Sequence, residues 1–199
     1  MASRAGPAAE AAGCANTLTF EPDTISAENT DVAAVRRRLS ELKATERWDG
    51  SPVVVLGGGG SARAALAAVS SLDSTSIVLA RRREVADGLA REYGGLSGVG
   101  TSLLPASLVI HATPAGREDC PTLELPWMSV VGPGTHVLDF VYQPVHPILR
   151  TRAATKGASY EDGSRLLVYQ AAESYATWWG AAPSEDLQEA ALREFLCVE

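Results

Sequence analysis

The chain is short of several things, and each shortage removes a protein class. Cysteine is scarce: Cys14, Cys120 and Cys197 are odd in number and widely separated. They suggest neither a disulfide framework nor a zinc site and are read as reduced thiols. Long apolar runs are missing, so no segment suits a membrane span. Met1 to Ala12 lacks the charged start and apolar stretch of a signal peptide, which points to the cytoplasm. Positive charge is in deficit, with 17 Lys and Arg against 24 Asp and Glu for a net charge of -7, and this disfavours nucleic acid as a partner. There is no internal repeat, and no low-complexity tract beyond the N-terminal alanines.

The 199 residues that remain to be explained are 46% hydrophobic and 21% charged, enough for a soluble domain with a real core. The first twelve residues, rich in alanine and glycine, are expected to fray. Asn16 to Phe20 and Thr24 to Ala27 read as two strands of a hairpin around Glu21-Pro22-Asp23. From Asp31 to Ala44, apolar Val32, Val35, Leu39 and Leu42 recur at helical spacing, with Asp31 placed to cap the helix N-terminus. The polar stretch Arg47 to Pro52 marks a domain boundary. Beyond it, strands at Val53 to Leu56, Thr75 to Leu79, Ser107 to His111 and Thr135 to Val141 alternate with helices. The helices are expected at Glu84 to Tyr93, Pro147 to Lys156, Ser164 to Trp178 and Pro183 to Leu196. Such alternation predicts a Rossmann-like, doubly wound parallel sheet with helices on both faces.

The strand Val53-Val54-Val55-Leu56 breaks into Gly57-Gly58-Gly59-Gly60-Ser61-Ala62 and then an alanine-rich helix, a G-x-G-x-x-A turn in the context that dinucleotide binding demands. Gly57 would allow the tight turn and Gly59 would admit a pyrophosphate. Gly60 and Ser61 would open the helix toward the phosphates, and Ala62 would let helix pack on strand. The next strand ends in Ala80-Arg81-Arg82-Arg83 with no carboxylate to hold a ribose 2′-hydroxyl, so Arg81 and Arg82 favour the 2′-phosphate of NADP. The competing role for these arginines is a solvated basic cap on the following helix.

Four further segments stand in order around this turn: Asn29-Thr30-Asp31, His111 to Gly116, Asp139 to Pro144 and Gly163 to Gln170. Together with it they resemble the shikimate dehydrogenase family, from about Gly13 to Gly180. The resemblance implies an α/β protein that reduces 3-dehydroshikimate to shikimate with NADPH, the substrate lying between an N-terminal domain and a nucleotide domain. It implies a truncated substrate domain over residues 1–50, an NADP-binding domain over 51–165, and C-terminal helices over 166–199 that pack back on the first. It implies that Asn16, Tyr142 and Gln170 line the substrate cleft. Asp31 would be the catalytic aspartate, and Thr113, Pro114 and Gly163 would approach the cofactor.

Departures from the family pattern shape the expectation. The front of the substrate domain, with the serines that grip substrate and the catalytic lysine, lies outside the chain. The two lysines present, Lys43 and Lys156, do not stand in that lysine's sequence context. His111 replaces a usual asparagine and His146 a usual threonine, and both read as polar loop residues. The expected function is an NADP-dependent shikimate dehydrogenase impaired by truncation; the alternative is a non-catalytic NADP-binding module. An incomplete first domain would leave an open strand edge, for a second copy or a separately encoded front half to cover.

Overall fold

The computed structural model describes residues 3–98, 105–115, 120, 129–142 and 147–196. Two sheets are present among them. The smaller has the order β1-β3-β2, from Arg4–Ala5 (β1), Thr17–Glu21 (β2) and Thr24–Glu28 (β3). β2 and β3 form the antiparallel hairpin expected from the sequence, with Leu18 opposite Ala27. The front of the chain does not fray. Arg4 and Ala5 pair in parallel with Ser26 and Ala27, and Pro7–Ala12 forms a helix (α1) closed by Gly13 at φ 60°. Ala9 and Ala12 are buried, so the alanines are small residues at a tight packing surface.

Helix α2, Thr30–Ala44, starts one residue earlier than the periodicity indicates. Its N-cap is Asn29, whose Oδ1 accepts from the Val32 N–H at 3.3 Å. Asp31 therefore does not cap the helix, and its carboxylate is available for another role. Val32, Val35, Leu39 and Leu42 are all buried.

The larger sheet holds six strands, all parallel, in the order β6-β5-β4-β7-β8-β9. They are Val53–Leu56 (β4), Ser76–Leu79 (β5), Leu96–Ser97 (β6), Leu108–His111 (β7), His136–Asp139 (β8) and Ser159–Glu161 (β9). The first strand of the series, β4, is central, and the order runs outward from it in both directions. That is the doubly wound arrangement with its switch point between β4 and β7. Two short edge strands, β6 and β9, have too few residues to stand out in the sequence.

Because side chains alternate across a strand, Val53 and Val55 enter one core and Val54 and Leu56 the other. The first core is roofed by α2, α3 (Gly60–Ser70), α4 (Arg83–Glu92) and α6 (Ser164–Trp179); Leu149 and Ala153 of α5 (Pro147–Thr155) cover the second. Helices thus lie on both faces, as the alternation predicts. The first core joins Leu39 and Trp48 to Val55 and Leu66, so the N-terminal segment shares one interior with the sheet. A last helix, α7 (Glu185–Leu196), packs on α6. Among the described residues no helix is long and apolar enough to cross a membrane. Gly116, His146 and Cys197 lie outside the described residues.

Candidate active site

The turn after β4 has the geometry that the glycines suggest. Gly57 sits at φ 132°, and a Cβ there would lie 2.5 Å from the Ala112 carbonyl oxygen, so only glycine lets the backbones of β4 and the β7 loop pass so closely. Gly59 is the N-cap of α3 and makes no side-chain cap bond, while a Cβ built on it meets nothing within 4 Å. The first amides of α3, at Gly60, Ser61 and Ala62, therefore face an open cradle at a helix N-terminus, which suits a pyrophosphate. Ala62 is fully buried where α3 meets β4. The residues present thus fit a dinucleotide.

Arg81 and Arg82 stand exposed at the carboxyl end of β5, the neighbour of β4. Arg82 is the N-cap of α4, and Arg83 alone of the three pairs with a described carboxylate, Asp87 at 3.6 Å. Two guanidinium groups therefore remain at the position where an acid would read a ribose hydroxyl. Cys14 lies on the other side of the turn, 3.7 Å from the Gly60 carbonyl, with its thiol pushed up by burial.

A second cluster forms where α2 begins. Asn16 Oδ1 accepts from the Thr30 amide at 2.9 Å and from the Thr30 hydroxyl at 3.2 Å, which sets the Asn16 side chain near the Asp31 carboxyl. Gln170 reaches the same point from α6: its Oε1 accepts from the Thr30 hydroxyl at 3.3 Å, and its Nε2 donates to the Leu167 carbonyl at 3.1 Å. Burial raises the Asp31 carboxyl above its ordinary range, and the Asn16 side chain only partly offsets this. Asn16, Asp31 and Gln170, chosen from three distant segments, are thus assembled.

The sequence reading missed the hydroxyls beneath them. Thr17, Thr30 and Ser174 are buried, and the Ser174 hydroxyl lies 2.9 Å from that of Thr17 and 3.1 Å from that of Thr30. Ser174 follows Gln170 by four residues, the spacing that puts both on one face of α6, and that spacing was the available signal. Tyr142 is exposed beyond the carboxyl end of β8.

His111 corrects the expectation of a polar loop residue. It ends β7, is 2% exposed, and stands in register with Asp139, itself 0% exposed, on β8. Its Nδ1 lies 2.9 Å from Asp139 Oδ1, and its Nε2 lies 2.6 Å from the Thr113 hydroxyl. Asp139 also accepts from the Val141 amide and from the Tyr160 hydroxyl, each at 2.8 Å. Burial, with the Asp139 charge adding to it, drives the Tyr160 phenol far above its ordinary value and keeps it a donor. Thr113 is half-buried and Pro114 exposed in the loop that faces the glycine turn.

Gly163 is the N-cap of α6, and a Cβ there would collide with the Phe140 carbonyl. Glycine is required at that point so that α6 can start against the end of β8. Among the described residues no group of three or more His, Cys, Asp or Glu is placed to hold a metal ion.

No protein-family model matches the chain. Curated relatives do. It is 35% identical over 185 residues to the NADP-dependent shikimate dehydrogenase of Halobacterium salinarum, covering 91% of this chain and 68% of that one. It is 34% identical over 207 aligned positions to the enzyme of the same name from Azorhizobium caulinodans, covering 99% and 71%. Among solved structures, it resembles shikimate 5-dehydrogenase from Thermus thermophilus, determined with NADP(H) and shikimate. The TM-score is 0.78 at 28% identity, covering 98% of this chain and 73% of the other.

Proposed function

Because this chain belongs to the shikimate dehydrogenase family, we propose that its two clusters divide the family's reaction between them, one holding NADP(H) and the other handling the substrate hydroxyls. The reaction is hydride transfer between NADP(H) and shikimate. When bound, the cofactor supplies or accepts the hydride, and everything else falls to the backbone and side chains of the protein. The α3 amides and the open Gly59 face take the pyrophosphate, Arg81 and Arg82 the 2′-phosphate, and Thr113, Pro114 and the neighbourhood of Gly163 the nicotinamide side.

Substrate meets Asn16, Asp31 and Gln170. An alkoxide forming from a ketone needs a proton at once, and Asp31, whose carboxyl holds its proton more tightly than an ordinary aspartate, stands where α2 begins. Asn16 and Gln170 orient the hydroxyls, and Tyr142 closes the side near β8. The single observation that carries this reading is the hydrogen-bonded convergence of Asn16 and Gln170 on Thr30, the residue next to the partly buried Asp31.

No lysine of this chain can assist Asp31. Lys43 is at the far end of α2, roughly 18 Å along the axis at 1.5 Å per residue, and Lys156 is exposed just before β9, at the amino edge of the sheet. That placement favours slow turnover, and it is also what a second reading, a cofactor-binding module without turnover, draws on. We assign the chain to the cytoplasm. A second copy or another chain would pair at the β2 edge, where Leu18 and Phe20 are exposed.

The test of the cofactor half is a fluorescence titration with NADPH and NADH. NADPH should bind at least tenfold more tightly, and replacing both arginines (Arg81→Ala with Arg82→Ala) should erase the preference, since a charged pairing of guanidinium with phosphate is worth about 1.5–3 kcal/mol. Equal affinity for both cofactors in the unaltered chain would refute the assignment.

A further inference from the structure

The Thr113–Ala115 loop is shaped by a side-chain relay rather than by the strand ladder, which ends at His111. The relay runs from Asp139 through the His111 ring to the Thr113 hydroxyl. Asp139 is fully buried, and three donors converge on its two oxygens: the Val141 amide, the Tyr160 hydroxyl and His111 Nδ1. A carboxylate only accepts, so Nδ1 carries the ring proton that faces it. On the other side of the ring, Thr113 Oγ1 accepts from the Ala115 amide at 3.2 Å and lies 2.6 Å from His111 Nε2, so a second hydrogen bond joins the ring to the loop. The loop so fixed lies against the glycine turn, since the Ala112 carbonyl is the group that Gly57 clears. It also lies at the switch point of the sheet, where ligands bind in this architecture.

We propose that His111, oriented by Asp139, is a positioning residue that sets the Thr113 hydroxyl and the loop behind it for the nicotinamide side of the cofactor. This deepens the NADP(H) reading and rests on it. The imidazole is long enough to span Asp139 and Thr113, whereas an asparagine at the same place can keep the bond to Asp139 but cannot reach Thr113. His111→Asn is therefore expected to fold and to release the loop.

The experiment titrates NADPH into the full chain and into His111→Asn, Thr113→Val, Thr113→Ser and the His111→Asn, Thr113→Val double variant. Melting temperatures and ring-nitrogen NMR of His111 are recorded alongside. Each of the first two single variants should weaken NADPH about tenfold, the equivalent of one hydrogen bond. The double variant should be no weaker than either, and Thr113→Ser should bind like the unaltered chain. The ring should show a proton on Nδ1, with the Nε2 signal moving in Thr113→Val while Nδ1 stays protonated. Unchanged affinity in both singles, or losses that multiply in the double variant, would overturn the proposal while leaving the cofactor reading intact. Failure of the unaltered chain to bind NADPH would overturn both. Thr113→Val lies at the half-buried end of the relay, so it tests the coupling even if His111→Asn fails to fold.

Discussion

The Thr30 hydroxyl donates to Gln170 Oε1 across 3.3 Å although 140 residues separate them in the chain. The contact ties the first turn of α2 to the middle of α6, and it holds Gln170 beside Asn16 and Asp31. Thr30→Val keeps the shape and removes the hydroxyl. The Thr30 amide still bonds Asn16, so the helix start should survive with a loss of about 1–2 kcal/mol for the polar partners left behind. The KM for shikimate should rise about tenfold, with a smaller effect on binding of NADPH. Steady-state kinetics against both ligands check this.

Two glycines of the same turn should respond oppositely to alanine. Gly57→Ala forces a side chain into a left-handed conformation and against the Ala112 carbonyl, so it should cost about 1–3 kcal/mol or more of stability. Gly59→Ala meets open space, so the melting temperature should hold while NADPH affinity falls, because the methyl group occupies the cradle. Thermal melts and cofactor titration on the two variants separate a glycine needed by the fold from one needed by the ligand.

The acid sensitivity of the fold centres on Glu161. Glu161 is largely buried and accepts from Arg38 Nε and Nη2, at 2.8 and 2.6 Å, with His136 Nε2 at 3.3 Å. Burial alone would raise its carboxyl, but the bonds to His136 and Arg38 outweigh it and hold the group below its ordinary range. A depressed carboxyl stabilises the fold at pH values above the unfolded carboxylate range, and this contribution is lost as pH falls through the folded value. Glu161→Gln should therefore cost about 2 kcal/mol near neutrality. The difference from the unaltered chain should vanish in strong acid, as read from melting temperatures across pH.

The sequence exposed the glycine turn, the parallel sheet and the residues that gather at the start of α2, Asn16, Asp31 and Gln170, because those features are local: β-branched runs, helical spacing and short motifs. What it concealed depends on contacts between distant segments. His111 looked like a loop residue because nothing in Leu108 to Ala112 announces that Asp139 will lie in register with it on the next strand. The N-terminal alanines looked frayed because small residues are uninformative until the helix they pack against is known, here α3. Gly163, which the resemblance sets near the cofactor, is also demanded by the backbone of Phe140, a requirement no local pattern shows. Asp31 was given two roles by the sequence, and the cap on Asn29 removed one of them.

The most direct test of the account is reduction of NADP by shikimate in the purified chain, compared with Asp31→Asn. Because burial raises the Asp31 carboxyl in the folded state, ionisation costs stability as pH rises from the ordinary carboxylate range, and the cost is complete above the raised value. Asp31→Asn should therefore melt no lower than the unaltered chain at pH 7, and the two should converge below the ordinary carboxylate range. Turnover should fall by about two decades or more, the usual contribution of a positioned group that takes the hydroxyl proton in this direction and returns it in the other. Measurable turnover that disappears in a stably folded Asp31→Asn is the predicted result. Turnover equal in both proteins, or none in a folded chain that binds NADPH, would contradict the assignment of the proton step to Asp31.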